Sequence, residues 1–310
     1  MKMTFLIRVI FMATALLYVS LSAETGMGLV ITTTNGGSIG VDFQGTIRRI
    51  DIKDNQIINT TGSLGTGRFV RFSPDGTKFA YIKMDKTVAI SDLEGRVIKR
   101  FDADELGQLS YTDAGIYIAS SRSNKLYLYS ESGNKISEQS VPQSESGFVS
   151  QNGKLLAGVA TVNRNTDPFT VDMTTGKLLW MSGSRIWDCA VCPSPDGLKI
   201  TQNNGGGTRH NGVSYGSHKS MAILNRDGTM DSFIPAVNIT NSSTYNINRQ
   251  CWSGNSNEWI VVPAGRGAKQ QLEYLCEPWI YNYKTKIAIC LSKRSNDFWQ
   301  PHDYYSGKLP

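Results

Sequence analysis

Residues 203–218, Asn-Asn-Gly-Gly-Gly-Thr-Arg-His-Asn-Gly-Val-Ser-Tyr-Gly-Ser-His, gather the side chains of this chain best suited to chemistry. They hold Arg209 and two of the three histidines, His210 and His218. Imidazole titrates near neutral pH, so either histidine suits a general base. No acid is fixed beside them by spacing. Asp188 and Asp297 serve only if the fold brings them there. No Gly-x-Ser-x-Gly nucleophile elbow occurs. Gly205-Gly206-Gly207 lacks the Lys-Ser/Thr of a phosphate loop and reads as a wide turn. Cys189 and Cys192 with His210 and His218 form the one metal-like set. Its histidines lie outside zinc-finger spacing, and strand residues three apart point to opposite sides. No metal and no cofactor are therefore expected.

The five cysteines, Cys189, Cys192, Cys251, Cys276 and Cys290, all lie in the C-terminal half. An odd count leaves at least one thiol or an intermolecular bond. Cys192 and Cys251 hold the same position in a repeat described below and are not expected to face each other. Cys189 is the better partner for Cys251. Cys276 and Cys290 can bond across a hairpin if its register allows.

Disulfides would need an oxidising compartment, and the N-terminus supplies an address. Lys2 and Arg8 precede an apolar run at 9–19, and Ser20-Leu21-Ser22-Ala23 offers small residues for cleavage. Residues 1–23 read as a secretory signal peptide, so residues 24–310 would act in the periplasm or outside the cell. The run is short of the ~20 residues of a membrane span, and none is expected after cleavage. Losing Lys2 and Arg8 lowers the formal charge from +6 to about +4. With no Lys/Arg cluster, nucleic acid is not an expected partner.

The elements that must position these residues are strands. Residues 71–82 read as strand, tight turn, strand, with Pro74, Asp75 and Gly76 supplying the turn. Residues 87–92 and 96–101 follow as two more, joined through Leu93-Glu94-Gly95. Related openings recur at Tyr111, Val149, Pro193 and Trp252, and the later turn recurs at Glu131, Thr174, Arg226 and Tyr283. Four short strands per repeat mark the blades of a propeller. Another opening stands at Trp299, with room for one or two strands, and residues 29–33, 46–52 and 56–60 supply three. The expectation is an all-β, six-bladed propeller of four-stranded blades, closed by pairing the N- and C-terminal strands. Closure would remove the open edges. Helix should be almost absent, and aromatics such as Phe72, Trp252, Trp259, Trp279 and Trp299 belong between blades.

Phe72-Ser73-Pro74-Asp75-Gly76 and Ser194-Pro195-Asp196-Gly197 resemble the repeats of TolB-like, WD40-like propellers. TolB proteins carry an α/β domain before the propeller, and this sequence is expected to lack it. The resemblance therefore implies the fold and not the family's role in an envelope complex. Propellers also occur in peptidases and polysaccharide lyases.

Blade topology puts the connections between second and third strands, and between blades, on one face. Residues 34–45, 162–168, 203–217 and 263–275 are the long ones, so one arc of that face is expected to be built up. Arg185, Trp187, Asp188, Arg209, His210, Tyr215, His218, Arg249 and Arg266 would give it a cationic, ring-bearing surface. Such a face suits an acidic patch of an envelope or extracellular protein, or a glycan. A binding or scaffolding module is the leading expectation, with a carbohydrate-active or peptide-cleaving enzyme on the same face as the alternative. Oligomeric state is not specified.

Overall fold

The computed structural model describes residues 37–41, 46–53, 56–83, 85–142, 144–162, 165–183, 189–247, 250–252, 257–266 and 276–290. The expected leader, the strand at 29–33 and the closing segment from Trp299 lie outside these residues.

An N-terminal sheet runs β1 (Gly37–Val41), β2 (Thr46–Lys53), β3 (Gln56–Thr66). Blade one is β4 (Arg68–Phe72), β5 (Lys78–Ile82), β6 (Thr87–Asp92) and β7 (Val97–Asp102). Blade two is β8 (Gln108–Thr112), β9 (Gly115–Ser120), β10 (Lys125–Tyr129) and β11 (Lys135–Ser140). Blade three is β12 (Ser144–Val149), β13 (Leu155–Val162), β14 (Asn165–Asp172) and β15 (Leu178–Met181). Blade four is β16 (Cys189–Pro193), β17 (Lys199–Asn203), β20 (Ser220–Asn225) and β21 (Met230–Pro235), with β18 (Thr208–His210) and β19 (Val213–Tyr215) as a separate hairpin between β17 and β20. Blade five has an inner strand in two pieces, β22 (Tyr245–Ile247) and β23 (Cys251–Trp252), both paired to β24 (Trp259–Arg266), then β25 (Cys276–Asn282) and β26 (Ile287–Cys290). A short helix, α1 (Val237–Thr240), joins blades four and five.

Every sheet is an antiparallel meander, and the first strands β4, β8, β12, β16 and β23 pack side by side in succession. Sheets radiating from a shared row of first strands make a β-propeller. The described residues form five four-stranded blades, where six were expected, and show no pairing between the two ends of the chain. The N-terminal sheet has three strands. Its β1 touches β4 as the second strands β5, β9 and β13 touch β8, β12 and β16. A Cβ on Gly95 would meet Leu64 of β3, as one on Gly133 would meet Phe101 of β7 and one on Gly228 the Trp180 ring of β15. So β1, β2 and β3 hold the second, third and fourth places of a blade.

Of the expected long loops, 162–168 is largely strand and 263–275 begins as strand. Val162 pairs with Asn165, so β13 and β14 run almost to their turn. Residues 263–266 belong to β24. Likewise β1 lies inside 34–45, where Gly37 and Gly40 dilute the alternation that marks a strand.

The repeated turn is held by one hydroxyl. Ser73 Oγ donates to Asp75 Oδ1 at 2.5 Å and accepts from the Lys78 amide at 3.0 Å. Ser194 makes the equivalent bonds with Asp196 and Lys199, and Ser150 with Asn152 and Leu155. The Ser73 hydroxyl and the Thr77 amide bring the Asp75 carboxyl down to about 2. Turns also bond from blade to blade: Asp113 N donates to Gln151 O, Asn152 N to Pro195 O, and Asp196 N to Asn257 Oδ1. Apolar faces close the joints, as where Ala157 and Val159 meet Ala222 and Leu224. Each buried Leu, Ile or Val there contributes roughly 1.5–3 kcal/mol.

Candidate functional site

The residues singled out around 203–218 form an ordered hairpin. Thr208 pairs with Tyr215, Arg209 with Ser214 and His210 with Val213. Asn211 and Gly212 make the turn, with φ of 49° and 81°. Positive φ at both central positions fits the right-handed strand twist, and Asn-Gly is its strongest local signal. That dipeptide marks the hairpin, which was expected as a plain loop.

Alternation divides the hairpin. Its inner face lies on Phe233 of β21, the outermost strand of its own blade. His210 stacks on that ring at 4.3 Å and 14°, and Tyr215 tilts against it at 5.0 Å and 57°. Arg209 and Ser214 stand on the opposite, exposed face, and Val213 is 53% exposed beside the turn. At the base the direction reverses. His218 takes a left-handed φ of 58° and turns inward, 4% exposed. Its Nδ1 lies 2.9 Å from Asn203 Oδ1, while Asn203 Nδ2 donates to Ile247 O at 2.8 Å. Because the amide nitrogen is committed to that carbonyl, Nδ1 is the donor to Asn203. The Ile247 amide donates to His218 O at 2.7 Å. His218 therefore clips the hairpin base to β22 of the next blade.

Arg209, His210, Tyr215 and His218 are thus brought to one hairpin in different roles: Arg209 outward, His210 and Tyr215 as clamp, His218 as clip. Arg266 pairs with Tyr245 through its backbone on β24, and its side chain is outside the described set. Arg185, Trp187, Asp188 and Arg249 lie outside the described residues. Cys192 is on the innermost strand and His210 on a ring of the outermost. With neighbouring strands ~4.8 Å apart, one ion cannot reach both. Among the described residues no group of three or more His, Cys, Asp or Glu is placed to hold a metal.

A second feature, which the sequence reading missed, lies on the axis. Arg71 pairs with Ala80, Ser110 with Tyr117, Phe148 with Ala157, Cys192 with Thr201 and Cys251 with Val261. These are equivalent positions of five blades. Instead of pointing past one another they converge, because first strands are the strands nearest the axis. The Arg71 guanidinium sits 4.6 Å from the Phe148 ring centroid and donates to Val70 O at 2.8 Å. Cys192 and Cys251 share a core cluster with Phe148 and Trp252. A small recess, partly open to solvent, is lined by Arg71, Ser110, Phe148, Cys192 and Trp252 among others. Burial pushes both thiols up, Cys251 well above the ordinary range. Cys192, Cys251 and Cys290 are thiols. Cys290 pairs with Trp279 and Cys276 with Gly265, so the register does not set Cys276 opposite Cys290.

The fold is that of a β-propeller, WD40-like in its four-stranded blades. No family model and no curated protein matches the chain. Among solved structures it is similar to the β-propeller domain of Cps50 (Swd1) from Myceliophteria thermophila, at 16% identity over 72% of this chain and 68% of that one, with a TM-score of 0.48. A chain of a mitotic checkpoint complex matches at 15% identity over 86% and 81%, TM-score 0.49. A chain of Kuenenia stuttgartiensis hydrazine synthase matches at 12% identity over 86% and 98%, TM-score 0.48. The propeller assignment rests on the strand order and the row of first strands. Among the described residues no helix is long and apolar enough to cross a membrane.

Proposed function

We propose that the protein is an exported binding module that holds a partner protein or glycan on the β18–β19 hairpin. The observation that carries this is a clamped hairpin that presents exposed side chains: Arg209 stands outward and Val213 is exposed beside the turn, while His210, Tyr215 and His218 fix the hairpin. Arg209 offers paired donors to a carboxylate or sulfate, which fits an acidic protein patch or an anionic glycan. Expressed with its own N-terminus, the protein should be recovered outside the cytoplasm beginning at Glu24. Immobilised, it should capture an acidic protein or glycan from the envelope or secreted fraction. Arg209→Ala with Val213→Ala should weaken that capture about tenfold or more. Recovery in the cytoplasm with residues 1–23 retained rules out export. Equal capture by wild type and double variant rules out the hairpin.

The same reading includes a ring of six blades of the TolB-like repeat type, closed by residues from Trp299 onward. It is supported by the places of β1–β3, which leave the innermost place of that blade to no described strand. Deleting residues 299–310 should lower the melting midpoint by roughly 5 °C or more. An unchanged midpoint would end the closure model.

A further inference from the structure

The geometry points to Cys192 and Cys251 as a latent disulfide, two thiols of adjacent blades that meet at the propeller axis and join when an oxidant reaches them. This goes beyond the binding role and does not depend on it. Both residues are nearly buried, at 7% and 1% exposure, in one core cluster. They stand at equivalent places on β16 and β23, which pack side by side. A disulfide needs Cβ atoms about 3.5–4.5 Å apart, which two residues of one core cluster at equivalent places on strands packed side by side can reach. Burial and the neighbouring Cys192 push the Cys251 thiol up, which keeps the pair slow to react while the core is closed.

Cys192 lines the axial recess, so it is the sulfur an incoming reagent meets first. The oxidant is a small disulfide of the glutathione class. The Cys192 thiol loses its proton and attacks one glutathione sulfur, releasing one glutathione thiol and leaving a mixed disulfide. The Cys251 thiol then loses its proton and attacks the Cys192 sulfur, releasing the second glutathione. The two cysteines lose two electrons and two protons, and the glutathione disulfide gains them. The product ties the blade that carries the hairpin to the blade that receives its His218 clip.

The test uses the purified full chain, equilibrated with oxidised glutathione at urea below its unfolding transition, then alkylated and digested. The expected result is a peptide pair joined through Cys192 and Cys251. The melting midpoint should rise by roughly 5 °C over the reduced protein and fall back with dithiothreitol. Cys192→Ala and Cys251→Ala should each abolish the rise, whereas Cys276→Ala and Cys290→Ala should keep it. Recovering both cysteines alkylated, or Cys251 joined to Cys189 or any other partner, overturns the proposal. The peptide map is read on the unmodified protein, so the outcome does not depend on a variant folding.

Discussion

Replacing Trp252 with alanine is expected to destabilise the protein by about 3–5 kcal/mol, the cost of emptying a large aromatic site in a core. The indole is 2% exposed and meets Tyr283 edge-on at 5.6 Å and 87°. It packs among Cys192, Cys251 and Ile280 in the cluster between blades four and five. Inner strands cannot collapse into the space left behind, because β16 and β23 are each held by a paired strand, β17 and β24. Trp252→Phe should cost much less. The indole nitrogen is buried without a hydrogen-bond partner, so losing it breaks no bond. Urea titration of the two variants measures the difference. An alanine variant within 1 kcal/mol of wild type, a bound set by the smallest core truncations, would contradict this account of the joint.

Asn203→Ala should also cost much, at about 2–6 kcal/mol, since it strips bonds from two buried groups at roughly 1–3 kcal/mol each. Asn203 is fully buried and links the His218 ring to the Ile247 carbonyl. Its loss unclips the hairpin base, so protease cleavage within 203–218 should rise as stability falls. Arg209→Ala, on the exposed face, should move stability by less than about 0.5 kcal/mol. Should both variants prove equally stable, the amide is no clip. Equal cleavage in both would say the same of the hairpin's anchorage.

How much of this was legible in the sequence follows from how local each interaction is. The Ser-x-Asp-Gly turns could be read because the bonds that make them span two to five residues, as from Ser73 to Asp75 and Lys78. Strands rich in alternating apolar residues were equally plain, and β1 was not, because two of its five residues are glycine. The hairpin had its own local mark in Asn211-Gly212, overlooked beside the glycine run before it. His218 could not be placed from sequence. Its orientation depends on Asn203, fifteen residues away, and through it on Ile247 in another blade. The axial thiols failed for a geometric reason. Equivalent residues of neighbouring sheets diverge along most of a blade, and only on the first strands does the radius shrink enough for them to touch.

The turn-to-turn bonds carry a consequence for how the molecule breathes. The amides of Asp113, Asn152 and Asp196 sit in tight surface turns, where hydrogen exchange would ordinarily be fast. Here each is donated to the following blade, to Gln151, Pro195 and Asn257 in turn. Their protons are therefore released by the parting of two blades and not by the fraying of one. A slow-exchange signal at those three positions is a gauge of blade contact at three successive joints, read without a label or a mutation.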